Sequence, residues 1–200
     1  GPMRLNRFLA RAGVDSRRKC DELVFAGKVR INGESVTEPG RSVTPGSDQV
    51  EVDGRRVTLP QNCEYILYYK PRGCLVTRSD PNGRSTVYER IADLRPGTVT
   101  VGRLDQDTTG ALLLTDDGEL TYRLLHPRYK VYKQYEVSVA GVPTLEALAE
   151  LESGVELEDG LTAPARVSRL RNSESSALIG IRLHEGRKRQ VRRMFEALGY

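Results

Sequence analysis

Between Tyr65 and Leu183 the apolar runs are short, and turn residues or a single helical pattern separate each from the next. Strands are expected at Tyr65–Tyr69, Cys74–Thr77, Val99–Leu104, Ala111–Thr115, Tyr135–Ala140, Ala165–Ser168 and Ala177–Leu183. Helices are expected at Val87–Ile91, Glu119–Leu125, Leu145–Leu151 and Gln190–Leu198, the last with Val191, Met194, Phe195 and Leu198 on one face. Hairpin-like spacings mixed with isolated helices, and no regular βαβ repeat, point to an α+β domain with a mixed, largely antiparallel sheet and flanking helices.

The N-terminal segment has a different rhythm. Leu5, Phe8, Leu9 and Ala12 share a helical face, Gly13 can close that helix, and Ser16 is placed to cap a second one carrying Cys20, Leu23 and Val24. Val29 and Ile31 then alternate with polar residues before Asn32-Gly33, a hairpin turn, and a second such turn stands at Asp53-Gly54. The polar sides of the two helices carry Arg4, Arg7, Arg11, Arg17, Arg18 and Lys19. Residues 58–64, with Pro60 and no periodicity, read as a linker, so the expected division is a small helical and short-strand domain at 3–57 and a larger domain at 65–200.

Charge separates these regions further. Residues 1–30 hold eight Lys/Arg against three acids, and residues 182–193 hold six against Glu185 alone, each a net +5. The remaining residues carry 17 basic groups against 23 acids, a net −6. Two basic clusters at opposite ends of an acidic chain fit a polyanion held by two surfaces. Cys20, Cys63 and Cys74 form no CxxC pair, and His126 and His184 stand far apart, so neither a disulfide framework nor a metal site is expected. With no apolar run near the length of a membrane span and no signal-peptide pattern, a soluble, cytoplasmic protein is expected. A monomer is also expected. Gly1-Pro2 before Met3 reads as a cleavage scar.

The stretch most able to carry chemistry is residues 101–120, V-G-R-L-D-Q-D-T-T-G-A-L-L-L-T-D-D-G-E-L. An apolar strand runs into Arg103-Leu104-Asp105, a polar loop comes next, and a second apolar strand leaves it. An acid at a strand end beside an arginine can face a cleft, but strand-end aspartates also serve as turn formers, and Asp107 is a rival.

Residues 3–56, through M-R-L-N-R-F-L-A-R-A-G, S-R-R-K-C-D-E-L and G-K-V-R-I-N-G, resemble the S-four-type RNA-binding domain. The later pattern G-R-L-D-x-x-T-x-G-x-L-L-L-T-x-D-G resembles the catalytic motif of the RsuA/RluB-type ribosomal RNA pseudouridine synthases. Lys133-Gln-Tyr135-Glu-Val137 and the segment from Leu183 to Phe195 come after it in that family's order. Tyr69-Lys70-Pro71-Arg72-Gly73, Thr77–Pro81 and Gly83-Arg84 lean toward the branch acting on large-subunit RNA.

The resemblance implies a pseudouridine synthase fold behind an RNA-binding domain, with Asp105 as catalytic acid, Tyr135 as its aromatic partner and Arg192 as the basic residue paired with Asp105. Leu183 would pack under the target base, and Arg103, Arg187 and Arg189 would bind substrate. It also implies ribosomal RNA, or a ribosome assembly intermediate, as partner. Uridine isomerisation oxidises nothing and releases nothing, so no cofactor is expected. Ala111 stands where the family commonly has leucine, a packing difference. The family usually continues past Leu198-Gly199-Tyr200 with more sheet and a basic tail, which implies a catalytic domain cut short. Two other readings compete. A two-carboxylate glycosidase would need Asp107 or Glu185 as its second acid. A non-catalytic ribosome-assembly factor would leave the Asp105, Tyr135 and Arg192 set without a purpose.

Overall fold

A computed structural model describes residues 1–200. It divides into two compact units, residues 1–122 and 123–200. In the first, β1 (Met3–Arg4) leads into α1 (Leu5–Arg11), and α2 (Arg17–Phe25) comes after a turn. Ser16 caps α2, its side chain accepting a hydrogen bond from the Lys19 N–H at 3.3 Å. β2 (Val29–Ile31), β3 (Glu34–Val36), β4 (Ser42–Val43), β5 (Val50–Val52) and β6 (Arg55–Val57) come next. An antiparallel sheet of order β3-β2-β5-β6 results, with β4 paired to β1. Asn32 and Gly33 have φ of 51° and 84°, and Asp53 and Gly54 have 48° and 76°. Positive φ at both central residues is what a tight two-residue hairpin demands, which is why these dipeptides stand there. Leu5, Phe8, Leu9, Cys20, Val24, Val29, Ile31 and Val50 close a core of their own.

The same unit continues with β7 (Tyr65–Lys70), α3 (Val87–Arg90), β8 (Val99–Val101) and β9 (Gly110–Thr115), in an antiparallel sheet of order β7-β9-β8. Its core is Cys74, Val76, Val87, Leu112 and Leu114. Thr86 and Glu89 form a reciprocal capping box at the start of α3. The strand expected at 74–77 does not form. Leu75 makes one isolated parallel bridge to Thr86, through bonds to Ser85 and Val87, so its apolar residues are buried without a sheet partner strand.

The division between these two units falls within α4 (Gly118–Leu125), and the N-terminal helices also pack on residues after 58–64. Gly97 lies against the end of α1 so closely that a Cβ there would stand 2.3 Å from the Ala10 carbonyl oxygen. Arg11 donates to the Cys63 sulfur at 3.2 Å.

The second unit holds a one-turn 3-10 helix at Pro127–Tyr129, then β10 (Lys133–Ala140), α5 (Leu145–Ser153), β11 (Glu156–Leu157), β12 (Gly160–Leu161), β13 (Arg166–Asn172), β14 (Ser176–Leu183) and α6 (Gln190–Ala197). β14 is central in a sheet of order β10-β14-β13, antiparallel throughout. Ile179, Ile181, Leu183, Leu151, Met194 and Phe195 form its core. The small hairpin β11–β12 has no counterpart among the expected strands. Both units are α+β with antiparallel sheets, as the apolar spacing requires.

Candidate active site and RNA-facing surfaces

Asp105 lies on the loop that links β8 to β9. Leu104 anchors the loop by packing on the core of that sheet, while Arg103 and Asp107 are exposed and Asp105 is half-buried. Thr108 donates its N–H to the Asp105 carbonyl at 3.0 Å, closing a turn over the two residues between. From below, the loop is held by Lys70, the last residue of β7. Ile66, Tyr68 and Lys70 occupy the inward positions of that strand, so alternation drives a lysine into the interior, where its exposure is 0%. Its ammonium donates to the carbonyls of Pro71 (2.8 Å), Gln106 (3.1 Å) and Thr108 (2.8 Å). An ammonium has three N–H donors and no acceptor, so these three carbonyls match its capacity. Burial pushes the Lys70 pKa below the ordinary lysine value, while Cys74, Asp107 and Asp105 nearby pull it back up. Gly73 adds a backbone bond to the Gln106 carbonyl at 2.8 Å. The Asp105 loop is therefore fixed on both sides by the Lys70–Gly73 turn.

Lys70 is the site residue to which the sequence alone assigns no role. The available signal is a lysine in phase with inward-facing apolar residues, which requires dedicated acceptors.

Arg7, Arg11 and Arg17 of the N-terminal helices line a cleft of about 420 Å³ together with Arg78, Pro96 and Gly97. Arg78 is fixed there by bonds to the carbonyls of Pro96 (3.1 Å) and Thr98 (2.9 Å), and it lies over the Tyr88 ring at 4.6 Å. Arg4, Arg18 and Lys19 are also exposed.

The other expected site residues belong to the second unit. Tyr135 is on β10, opposite Ile181 in register, and packs partly buried against the sheet core. Leu183, at the end of β14, is 3% exposed within that core. Arg192 is half-buried on α6, whose Val191, Met194 and Phe195 grip the same core. Arg189 is exposed and stands in the left-handed region (φ 52°, ψ 30°) at the start of α6.

Arg187, expected to bind substrate, is bonded within the protein. Its guanidinium donates to Glu185 (2.8 Å), to the carbonyls of Gly160 (3.1 Å) and Leu161 (2.7 Å), and to Asp159 (3.4 Å). Those bonds make it a tie between the Leu183–Phe195 segment and the β11–β12 turn. Arg193 completes the tie with a bidentate pair to Asp159 at 2.8 and 3.1 Å, which holds the Asp159 carboxyl down to about 2.

Comparison with known proteins places this architecture. The family model described as RNA pseudouridylate synthase matches residues 64–197, and the S4 domain model matches residues 3–50. The chain is 47% identical to a ribosomal large subunit pseudouridine synthase B of Bacillus subtilis, covering 98% of this chain and 81% of that protein. It is 41% identical to the protein of the same name from Salmonella typhi, covering 98% and 69%. Among solved structures, one titled crystal structure of pseudouridylate synthase aligns with a TM-score of 0.66 at 30% identity, over 98% of this chain and 84% of that one. On sequence and architecture together, the chain belongs to the RNA pseudouridylate synthase family and carries an S4 domain at its N-terminal end.

Proposed function

We propose that this enzyme converts one uridine of large-subunit ribosomal RNA to pseudouridine, with Asp105 as the catalytic carboxylate. The observation that carries the assignment is the Asp105 loop, clamped by a buried lysine and set in the family's G-R-L-D motif. The N1–C1′ bond of uridine breaks, the base turns, C5 bonds to C1′, the C5 proton leaves and N1 gains one. A carboxylate can attack C1′ or take the C2′ proton, and both routes need it ionised. Arg192, the basic residue of the family's motif, is its counter-charge. Tyr135 stacks on the base and assists proton removal, Leu183 packs beneath it, and Arg103 and Arg189 contact phosphate. The target must leave its stack to reach the carboxylate, so a flipped uridine is the substrate form. The names of the Bacillus and Salmonella relatives support large-subunit RNA as target. The domains are 3–57 for RNA binding and 65–200 for catalysis, joined by 58–64. The working enzyme is a cytoplasmic monomer acting on ribosomal RNA or an assembly intermediate.

Isomerisation measured on a large-subunit ribosomal RNA fragment tests the assignment. Asp105→Asn keeps the side-chain shape but can neither attack nor take a proton, so product formation should vanish while RNA affinity stays within about twofold of wild type. Turnover near wild type, with Asp107→Asn inactive instead, would move the role to Asp107. Mapping pseudouridines in cells with and without the gene identifies the nucleotide.

A further inference from the structure

The segment from His126 to Lys133 has a composition that the catalytic assignment leaves unused. It reads H-P-R-Y-K-V-Y-K, with three basic residues, two tyrosines and no acid. Residues 126–130 are all exposed, and Tyr129 and Tyr132 are 39% and 47% exposed. Large aromatic rings left in water beside cations are a more specific signal than scattered surface leucines.

The segment is pre-shaped. His126 caps the one-turn helix by accepting from the Arg128 N–H at 3.2 Å, and Tyr129 and Lys130 donate back to the His126 and Pro127 carbonyls at 3.1 Å. Lys130 then takes the left-handed conformation (φ 46°, ψ 49°) that turns the chain toward β10. Each tyrosine already carries a cation. The Arg128 guanidinium lies 5.1 Å from the Tyr129 ring centre, and that of Arg182 lies 5.4 Å from Tyr132. His184 meets the Tyr132 ring edge-on, 5.5 Å between centres at 85°.

A second observation concerns the sheet beneath. Arg182 on β14 stands directly opposite Arg166 on β13, and both are exposed. Like charges facing each other across strands destabilise a sheet, so this pair costs stability unless an anion relieves it.

We infer that this strip is a docking surface for an unpaired RNA segment. Bases stack on Tyr129 and Tyr132, while Arg128, Lys130 and the Arg166–Arg182 pair hold phosphates. Guanidinium on one face of a tyrosine and a base on the other make an extended stack, the mode in which single strands are bound without reading sequence. A structured duplex hides its base faces, so the strip selects unpaired nucleotides. The inference rests on RNA being the substrate, as proposed above, but requires no catalytic step.

Equilibrium binding separates the two. The ligands are a synthetic ribosomal RNA stem-loop with 2-aminopurine in its unpaired segment and a fully paired duplex of equal length. Tyr129→Ala and Tyr132→Ala should each weaken stem-loop binding roughly five- to 150-fold, the range for one lost base–aromatic stack, with duplex binding changed less than twofold. Tyr→Phe at either position should bind as wild type, since the ring rather than the hydroxyl does the stacking, and wild-type protein should perturb the 2-aminopurine emission where Tyr132→Ala does not. Unchanged stem-loop affinity in both alanine variants, with melting temperatures equal to wild type, overturns the inference. An equal loss on duplex overturns it too. So does a loss seen only on protein-bearing ribosomal particles, which would assign the strip to a ribosomal protein. Failure of wild-type protein to isomerise any ribosomal RNA, with stem-loop binding and its tyrosine dependence intact, would sink the catalytic assignment and leave the docking surface standing.

Discussion

Lys70 has three donors and three carbonyls to receive them, two of these on the loop that presents Asp105. Replacing it with methionine keeps much of the stem but leaves buried carbonyls without partners. The expected cost is on the order of 2–3 kcal/mol of unfolding free energy, read by chemical denaturation. Single-turnover rate should fall further than RNA affinity, because the loss loosens the Asp105 loop and touches no phosphate-binding group. Arginine should not rescue it, since a planar five-donor fork does not fit carbonyls gathered around a point. Asp159 offers a test in the second unit. The Arg193 bidentate pair holds its carboxyl at about 2, below the ordinary 3.8. A depressed carboxylate stabilises the fold above the ordinary value, and that contribution is lost as pH falls from about 4 through about 2. Following the Asp159 carboxyl by NMR titration, Arg193→Met should return its midpoint toward 3.8, and the acid limb of the stability profile should flatten.

At the scale of elements, the contact between α1 and the turn at 95–97 decides how the N-terminal helices are held. A Cβ on Gly97 would meet backbone, the Ala10 carbonyl oxygen at 2.3 Å, so no side-chain rotation relieves it. Gly97→Ala should therefore destabilise the protein by about 1–3 kcal/mol, the usual cost of overpacking. It should also raise cleavage by protease within 58–64, as the helices lose their seat. Protection equal to wild type would mean that the turn moves aside at little cost. The β11–β12 hairpin is an element of another kind. Two-residue strands have little stability alone, and Arg187 and Arg193 tie this hairpin to the Leu183–Phe195 segment.

At the scale of the whole molecule, the chain bears its positive charge at two ends and negative charge between them. Arg17, Arg18 and Lys19 are exposed on the first turn of α2, away from the buried face that carries Cys20 and Val24. Changing the three to alanine should leave melting unchanged and weaken RNA binding. The slope of log affinity against log salt should fall by about 2 to 3, the counterion release of three phosphate contacts. Residual product should form at the same uridine, because phosphate contacts set position and base choice is made near the flipped nucleotide. New modified sites would show that the helices select the target.

What could be read from the chain was whatever depends on near neighbours. The hairpins at Asn32-Gly33 and Asp53-Gly54, the Ser16 cap, the inward alternation of β7 and the amphipathic face of α6 are settled within a few residues. The ordered motifs around Asp105, Tyr135 and Leu183–Phe195 carry family membership in the same linear way. Segment 74–77 shows the limit: its apolar residues suited a strand, but a strand needs a partner, and Leu75 found only Thr86. Lys70 reaches carbonyls 36 and 38 residues away, and Arg187 reaches the 159–161 turn 26 to 28 residues away. Such bonds exist only once separate elements have packed. Residue type and spacing therefore determined most of the elements and the family motifs, while tertiary packing decided which apolar segments find a strand partner and which charges are committed to the protein's own carbonyls and carboxylates. Burial makes an unpaired ammonium or carbonyl costly, and only the folded chain determines where that cost falls.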